Sequence, residues 1–430
     1  MHKIGLIAFI LICFNFSACG ESNNSSLLNH EDPPLGDNMS SPKIEVGASR
    51  LNDYLPLLKD KKVAMMVNQT SVIGSSHVVD TLLQWGVDIV KIFAPEHGFR
   101  GDHSAGAHVN SSIDDKTGLP IVSLYGASRK PSPEMMEGID VVIFDIQDVG
   151  VRFYTYISSM HYLMESCSEN NLEMMVLDRP NPNGFYVDGP VLDIKYKSFI
   201  GMHPVPLVHG MTVGEFAQMI NGENWLSNKK PCKLTVIKCI NYTHDSLYKL
   251  PIRPSPNLPT MASIYLYPSL GLFEGTNVSI GRGTEKPFEM IGRPVDYSIK
   301  KRPNQGSSSG NDGPYLFTPQ SIPGVADNPK HEGVLCEGKL LTDFGNNVIP
   351  DSKSINLRWL GYMYLTNNPS SSTPYFKSFF TKLAGGPELQ KQIESIQTMD
   401  DLDETITAIH KSWEPGLAAF KITRSKYLLY

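Results

Sequence analysis

The sequence predicts an α/β fold, a Rossmann-like parallel-sheet domain followed by a mixed α+β domain. Three observations carry this. Through the first half of the 430 residues, short apolar runs alternate with helix-spaced segments. Those runs are apolar throughout rather than every second residue, the pattern of strands covered on both faces. Four of them end in clusters of Asp, Glu, Arg, Asn and His, at the edge where open α/β sheets bind their ligands.

The chain begins with an address. Residues 1–18 have a short basic start, the apolar core Ile4–Phe16 and a small-residue end before Cys19. That core is shorter than the roughly 20 residues of a membrane span, so it reads as a signal peptide. Small residues ahead of Cys19 predict a lipoprotein signal, with Cys19 acylated; an ordinary cleaved signal beside an incidental Cys is the alternative. Residues 19–43 are polar and predict a flexible tether, because they hold too little apolar surface to offset their ordering entropy. The expected place is the bacterial cell envelope, lipid-anchored as a periplasmic or outer-membrane lipoprotein.

The elements of the first domain, residues 44–190, follow in order. Lys62–Val67 predicts a strand ending in Asn68-Gln69-Thr70, and His77–Trp85 has helical apolar spacing. Ile89–Ala94 predicts a strand running into Pro95-Glu96-His97-Gly98-Phe99-Arg100. Ile121–Leu124 and Asp140–Phe144 are further strands, the second leading into Asp145-Ile146-Gln147-Asp148-Val149-Gly150-Val151-Arg152. Tyr154–Cys167 predicts a helix, and Glu173–Leu177 a strand ending in Asp178-Arg179-Pro180-Asn181. No Gly-x-Gly-x-x-Gly follows the first strand, so neither the dinucleotide signature nor any other cofactor motif is present.

From about residue 191 the alternation stops, and residues 191–430 form the second domain. Thr212 predicts an N-cap with Glu215 at the capping-box position. Leu234–Lys238 predicts a strand, the proline-rich Pro251–Pro259 a loop, and Asn277–Ile280 a short strand before Gly281-Arg282-Gly283-Thr284-Glu285. Four helices follow, over 355–366, 375–383, 388–396 and 402–413. Cys167, Cys232, Cys239 and Cys336 fit no metal spacing and read as buried free thiols. A formal charge of −6 gives no broad basic surface for nucleic acid.

The residues that suggest chemistry cluster at the strand ends. Glu96, hemmed by Phe93, Pro95 and Phe99, is the leading acid–base candidate, since a partly desolvated carboxyl holds its proton more tightly. His97, beside Glu96, is a further catalytic candidate; His97, His103, His108 and Asp102 could also form a metal nest, but their spacing matches no helical ligand pair, so no metal is assigned, and substrate hydrogen bonding or loop structure is the more modest role. Asp148 and Arg152 read either as an ion pair or as catalytic groups. Glu285 could supply a second carboxyl, as glycoside cleavage needs. Asn68, Arg100, Gln147, Tyr154, Asp178, Arg179, Asn181, Glu274 and Arg282 are candidate binding residues. There is no Gly-x-Ser-x-Gly elbow for serine catalysis.

Taken together, Glu96-His97-Gly98-Phe99-Arg100-Gly101, the run Asp145–Tyr156, Asp178-Arg179-Pro180-Asn181-Pro182 and Gly281-Arg282-Gly283-Thr284-Glu285 resemble the NamZ-type exo-β-N-acetylmuramidase family. The resemblance spans nearly all of the chain from Ile44. It implies release of terminal non-reducing N-acetylmuramic acid from peptidoglycan fragments. It also implies a second, smaller domain with the active site in the cleft between the two, and a catalytic glutamate at Glu96. Muramic acid carries a lactyl carboxylate, and the planar fork of arginine suits a carboxylate; Arg152, Arg179 and Arg282 are the candidates. Two rivals differ in class: a non-catalytic muropeptide-binding lipoprotein, and a metal-dependent amide or ester hydrolase using the histidine cluster.

Overall fold

Six parallel strands form the centre of the protein, and their order explains where the site lies. The computed structural model describes residues 42–96, 98–100, 112–124, 126, 128–295, 314–366 and 374–430. The strands are β1 (Lys62–Val67), β2 (Asp88–Ala94), β3 (Pro120–Ser123), β4 (Val141–Asp145), β5 (Glu173–Leu177) and β6 (Lys233–Ile237). They lie in the order β3-β2-β1-β4-β5-β6, with the pair Ser112–Ile113 antiparallel at the β3 edge. This is the doubly wound order, which reverses direction between β1 and β4 and opens a crevice at the carboxyl ends of the strands.

The continuous apolar strands divide their side chains between two layers, as the period of two demands. Ala64, Met66, Val142, Phe144, Met174 and Val176 face helices Tyr156–Glu169 and Val213–Gly222. Val63, Met65, Val67, Ile143, Met175 and Leu177 face helices Leu51–Leu58 and Val78–Gln84. Helix Val213–Gly222 and β6 carry the sheet beyond the boundary expected at residue 190. Residues Lys43–Tyr430 group as one unit. The expected signal, the Cys19 acylation site and nearly all of the tether lie outside the described residues.

The second half adds a helical layer and a small antiparallel sheet of β7 (Met290–Pro294), β8 (Tyr315–Phe317) and β9 (Cys336–Leu340), in the order β7-β9-β8. The strand expected at Asn277–Ile280 does not form. Only single bridges occur there, Thr276 with Phe376 and Ser279 with Gly292. Helix Leu402–Arg424 runs eleven residues past its expected end and continues through Pro415. Its buried residues Leu402, Ile409, Trp413 and Phe420 form one apolar stripe, and packing of that stripe outweighs the local proline penalty. The four described cysteines are buried free thiols.

Asp178, expected to bind substrate, is instead a structural hub. It is fully buried at the end of β5. Its carboxylate accepts from Gly214 N at 2.8 Å and Thr212 Oγ1 at 2.7 Å, both at the start of helix Val213–Gly222, and from the C-terminal residue's Tyr430 Oη at 2.7 Å. Thr212 and Glu215 complete the reciprocal capping box. A helix N-terminus favours a carboxylate, and the sequence cue for a polar strand end cannot distinguish that partner from a ligand. Arg179 N also donates to Asp178 Oδ1 at 3.0 Å, so Asp178→Ala removes a cap and leaves four donors unpaired. The expected loss is about 2–4 kcal/mol of unfolding free energy, read from denaturant unfolding.

Candidate active site

A cavity of about 160 Å³ opens at the carboxyl end of the sheet. Glu96 and the run Phe153-Tyr154-Thr155-Tyr156 reach it from the ends of β2 and β4. Ser255, Asn257, Tyr267, Glu274 and Arg282 reach it from the second half.

Glu96 is placed by the turn that closes β2. Gly98 N bonds Pro95 O at 3.0 Å, and Gly98 has φ 78°, which favours glycine. Thr155 Oγ1 donates to Glu96 Oε2 at 3.1 Å, joining the β2 and β4 ends. Behind them lies an aromatic floor. Tyr267 meets Phe153, Tyr154 and Phe288 edge-on at centroid distances of 5.1, 5.9 and 5.1 Å, an arrangement favoured by ring quadrupoles. Tyr154 donates to Pro254 O at 2.8 Å and packs on Tyr156. Burial holds the Tyr267 hydroxyl well above its ordinary value, and the carboxylates of Glu274, Glu96 and Asp148 add to the effect. One phenol thus feels carboxyls from three separate segments.

Glu274 and Arg282 form the facing pair, with Arg282 Nη1 2.6 Å from Glu274 Oε1. Glu274 stands in the 3-10 turn Gly271–Gly275, and Gly281 and Gly283 flank Arg282 with φ 79° and 81°. Glu285 does not join them: it is exposed and absent from the cavity wall, so Glu274 is the second carboxyl there.

Other expected site residues hold the scaffold. Arg152 is buried and donates to Pro190 O (2.6 Å), Val205 O (2.8 Å) and Leu383 O (3.0 Å). It forms no ion pair with Asp148, and it is not available to a substrate. Arg179 is locked on Asp145 through Nε (2.5 Å) and Nη2 (2.9 Å), a bidentate pair wholly inside the protein. Arg100 binds Asp114 in the same two-pronged way at 2.9 and 2.8 Å, and its guanidinium holds the Asp114 carboxyl down at about 2. Asn181 bonds Met211 O and Asn183 N, and Gln147 bonds Pro180 O. Asn68 is buried beside Tyr156 and accepts from Thr70. Arg100, Arg152, Arg179 and Gln147 thus satisfy backbone or a counter-charge remote in sequence, whereas Asn68 bonds Thr70 two residues on. His97, with Asp102, His103 and His108, lies outside the described residues. Among the described residues no three His, Cys, Asp or Glu side chains gather as a metal site.

Tyr267, Ser255 and Asn257 were not anticipated. Helix Met261–Leu270 is apolar on every side and fully packed, which marks a buried helix, but nothing local marks Tyr267 as a wall of the cavity.

The chain is similar to known proteins along most of its length. The family model described as exo-beta-N-acetylmuramidase NamZ, N-terminal, matches residues 63–262, and its C-terminal counterpart matches 265–430. The curated peptidoglycan beta-N-acetylmuramidase NamZ of Bacillus subtilis (strain 168) is 39% identical over 407 residues, covering 90% of this chain and 92% of that protein. A crystal structure of a DUF1343 family protein from Bacteroides fragilis NCTC 9343 is 46% identical with TM-score 0.78, covering 90% of this chain and 99% of its own. A second such structure from the same organism is 28% identical with TM-score 0.70, covering 90% and 100%.

Asp148 gives a test of the site's electrostatics. One of its oxygens accepts from Gly150 N at 2.7 Å; the other is buried without a partner, and burial pushes the carboxyl up to about 7. The folded protein therefore keeps a proton that the unfolded chain loses near pH 4, so this group's stabilisation falls as pH rises from about 4 to 7 and is gone above. Asp148→Asn cannot ionise. Relative to wild type it should gain on the order of 2–4 kcal/mol between pH 5 and pH 8, measured as the difference in unfolding free energy at the two pH values. Subtracting wild type from variant at each pH cancels the opposite contributions of buried histidines such as His209, which burial pulls down to about 3.

Proposed function

We infer the activity from one premise: this chain belongs to the NamZ exo-β-N-acetylmuramidase family. It is an exo-acting glycoside hydrolase, and it releases terminal non-reducing N-acetylmuramic acid from peptidoglycan fragments. The observation that carries the mechanism is the meeting of Glu96, Glu274 and Arg282 at one cavity.

Cleavage through an oxocarbenium-like transition state needs one carboxyl to protonate the leaving oxygen and another to assist at the opposite face. Glu96 takes the first role. It is half-buried, and Thr155 fixes one oxygen. Glu274 takes the second, with Arg282 keeping it oriented. With Arg152 and Arg179 spent on the scaffold, Arg282 is the guanidinium on the cavity wall, and its remaining N–H groups receive the lactyl carboxylate. Tyr154, Tyr156 and Tyr267 supply the apolar face against the sugar ring.

The N-terminal sequence supports a place for this chemistry. Residues 1–18 act as a lipoprotein signal, Cys19 is acylated, and residues 19–43 tether the enzyme to a membrane of the cell envelope, close to its polymer. Cys19→Ser should abolish incorporation of labelled fatty acid and release the enzyme from the membrane fraction; unchanged labelling rejects the anchor.

Glu96→Gln and Glu274→Gln should each lower kcat by roughly 10²–10⁴ on a chromogenic muramic acid glycoside, with the fold intact by circular dichroism. Arg282→Met should raise KM, erode the preference for muramic acid over N-acetylglucosamine and, by releasing Glu274, lower kcat as well. Near wild-type turnover in Glu96→Gln overturns its role.

A further inference from the structure

Glu274 stands at the C-terminal end of a continuous helical run, Met261–Leu270 and then the turn Gly271–Gly275. The last carbonyls of such a run have no partner within it, and a cation there is favoured. Lys330 fills that place. Its Nζ donates to Phe273 O at 2.7 Å, to Glu274 O at 3.2 Å and to Val278 O at 3.3 Å. The next residue, His331, holds Asn277 O through Nε2 at 2.6 Å. The same connection between β8 and β9 also grips the Arg282 side: Gln320 N donates to Gly283 O at 2.8 Å, and a Cβ on Gly283 would stand 2.4 Å from Gln320 O. One loop therefore fixes both members of the Glu274–Arg282 pair. Lys330 has no carboxylate partner within ion-pair distance among the described residues.

We propose that Lys330 is a positioning residue for glycosidic cleavage: it clamps the turn carrying Glu274 and places a positive charge behind the Glu274–Arg282 pair. This rests on that pair facing the substrate. The charge and the clamp are separable. A neutral amine keeps two N–H donors for these three carbonyls, so loss of the Lys330 proton removes the charge while two of the three bonds of the clamp remain. Burial pulls that proton's pKa down to about 8; Glu274 opposes the shift, while Lys377 and Arg282 reinforce it, and His331 lies alongside. A merely structural cap predicts no alkaline loss of rate from this residue. A cap that also tunes the pair predicts one.

The test measures kcat and KM from pH 6 to 9.5 for wild type, Lys330→Arg, Lys330→Met and Glu274→Gln. Lys330→Met should lose kcat roughly 10- to 100-fold while KM moves less than about threefold. Lys330→Arg should keep most of kcat and move the alkaline limb upward by a pH unit or more. Wild-type kcat in folded Lys330→Met, or an unmoved limb in Lys330→Arg, overturns the proposal. If Lys330→Met does not fold, the limb in Lys330→Arg decides. Wild-type rate in Glu274→Gln overturns the underlying reading of the pair, and this inference with it; a slow Glu274→Gln beside normal Lys330 variants overturns the Lys330 role alone.

Discussion

A guanidinium buried without a carboxylate holds this structure's two halves in register. Arg152 sits at the end of the β4 loop, and its three acceptors come from Pro190, Val205 and Leu383, three distant parts of the chain. Taking a cation out of water costs several kcal/mol, and hydrogen bonds to a charged group each return about 1.5–3 kcal/mol. Desolvation pulls Arg152 down to about 9, so it stays charged at neutral pH. Its surroundings are shaped for it. Gly385, at φ 83°, lies where a Cβ would stand 2.6 Å from Arg152 Nη2. Because Arg152 directly precedes Phe153–Tyr156, fixing it also fixes one wall of the cavity.

The polar strand ends divide their labour. Asp145, Asp178, Arg179 and Asn181 complete hydrogen bonds within the scaffold, and they are among the most buried polar residues of the protein. Glu96 and Thr155, at the same edge, turn to the cavity instead. The scaffold groups make the edge rigid, and rigidity is what lets two carboxyls from remote segments keep the sub-ångström placement that glycoside cleavage requires. The wall carrying Glu274 and Arg282 is held in the same manner from the second half, by Lys330 and by glycines whose conformations admit close backbone contact.

Much of the first half was legible because burial leaves a local trace. β1, β2, β4 and β5 are apolar runs with few charged residues, and the Thr212–Glu215 capping box reads directly from spacing. Glu96, Tyr154, Glu274 and Arg282 were all legible as site candidates, and all line the cavity. What failed was the choice among partners. Arg152, Asp178 and Arg179 look like ligand-binding groups because a polar side chain at a strand end has the same sequence signature whether it meets a sugar, a helix terminus or an aspartate. Glu285 and Glu274 look alike in sequence, but Glu285 is exposed while Glu274 lines the cavity. The stripe at Leu402, Ile409, Trp413 and Phe420 was present in the sequence, but the local rule for Pro415 hid the length of its helix.

The most direct measurement is a crystal structure of a hydrolytically silent variant at position 96 with an unhydrolysed muramic acid–glucosamine disaccharide bound. The account predicts the terminal muramic acid inside the cavity, its glycosidic oxygen within hydrogen-bond reach of residue 96, its anomeric carbon facing Glu274 and its lactyl carboxylate on Arg282. A disaccharide seated elsewhere, or one whose scissile bond lies away from both side chains, contradicts it.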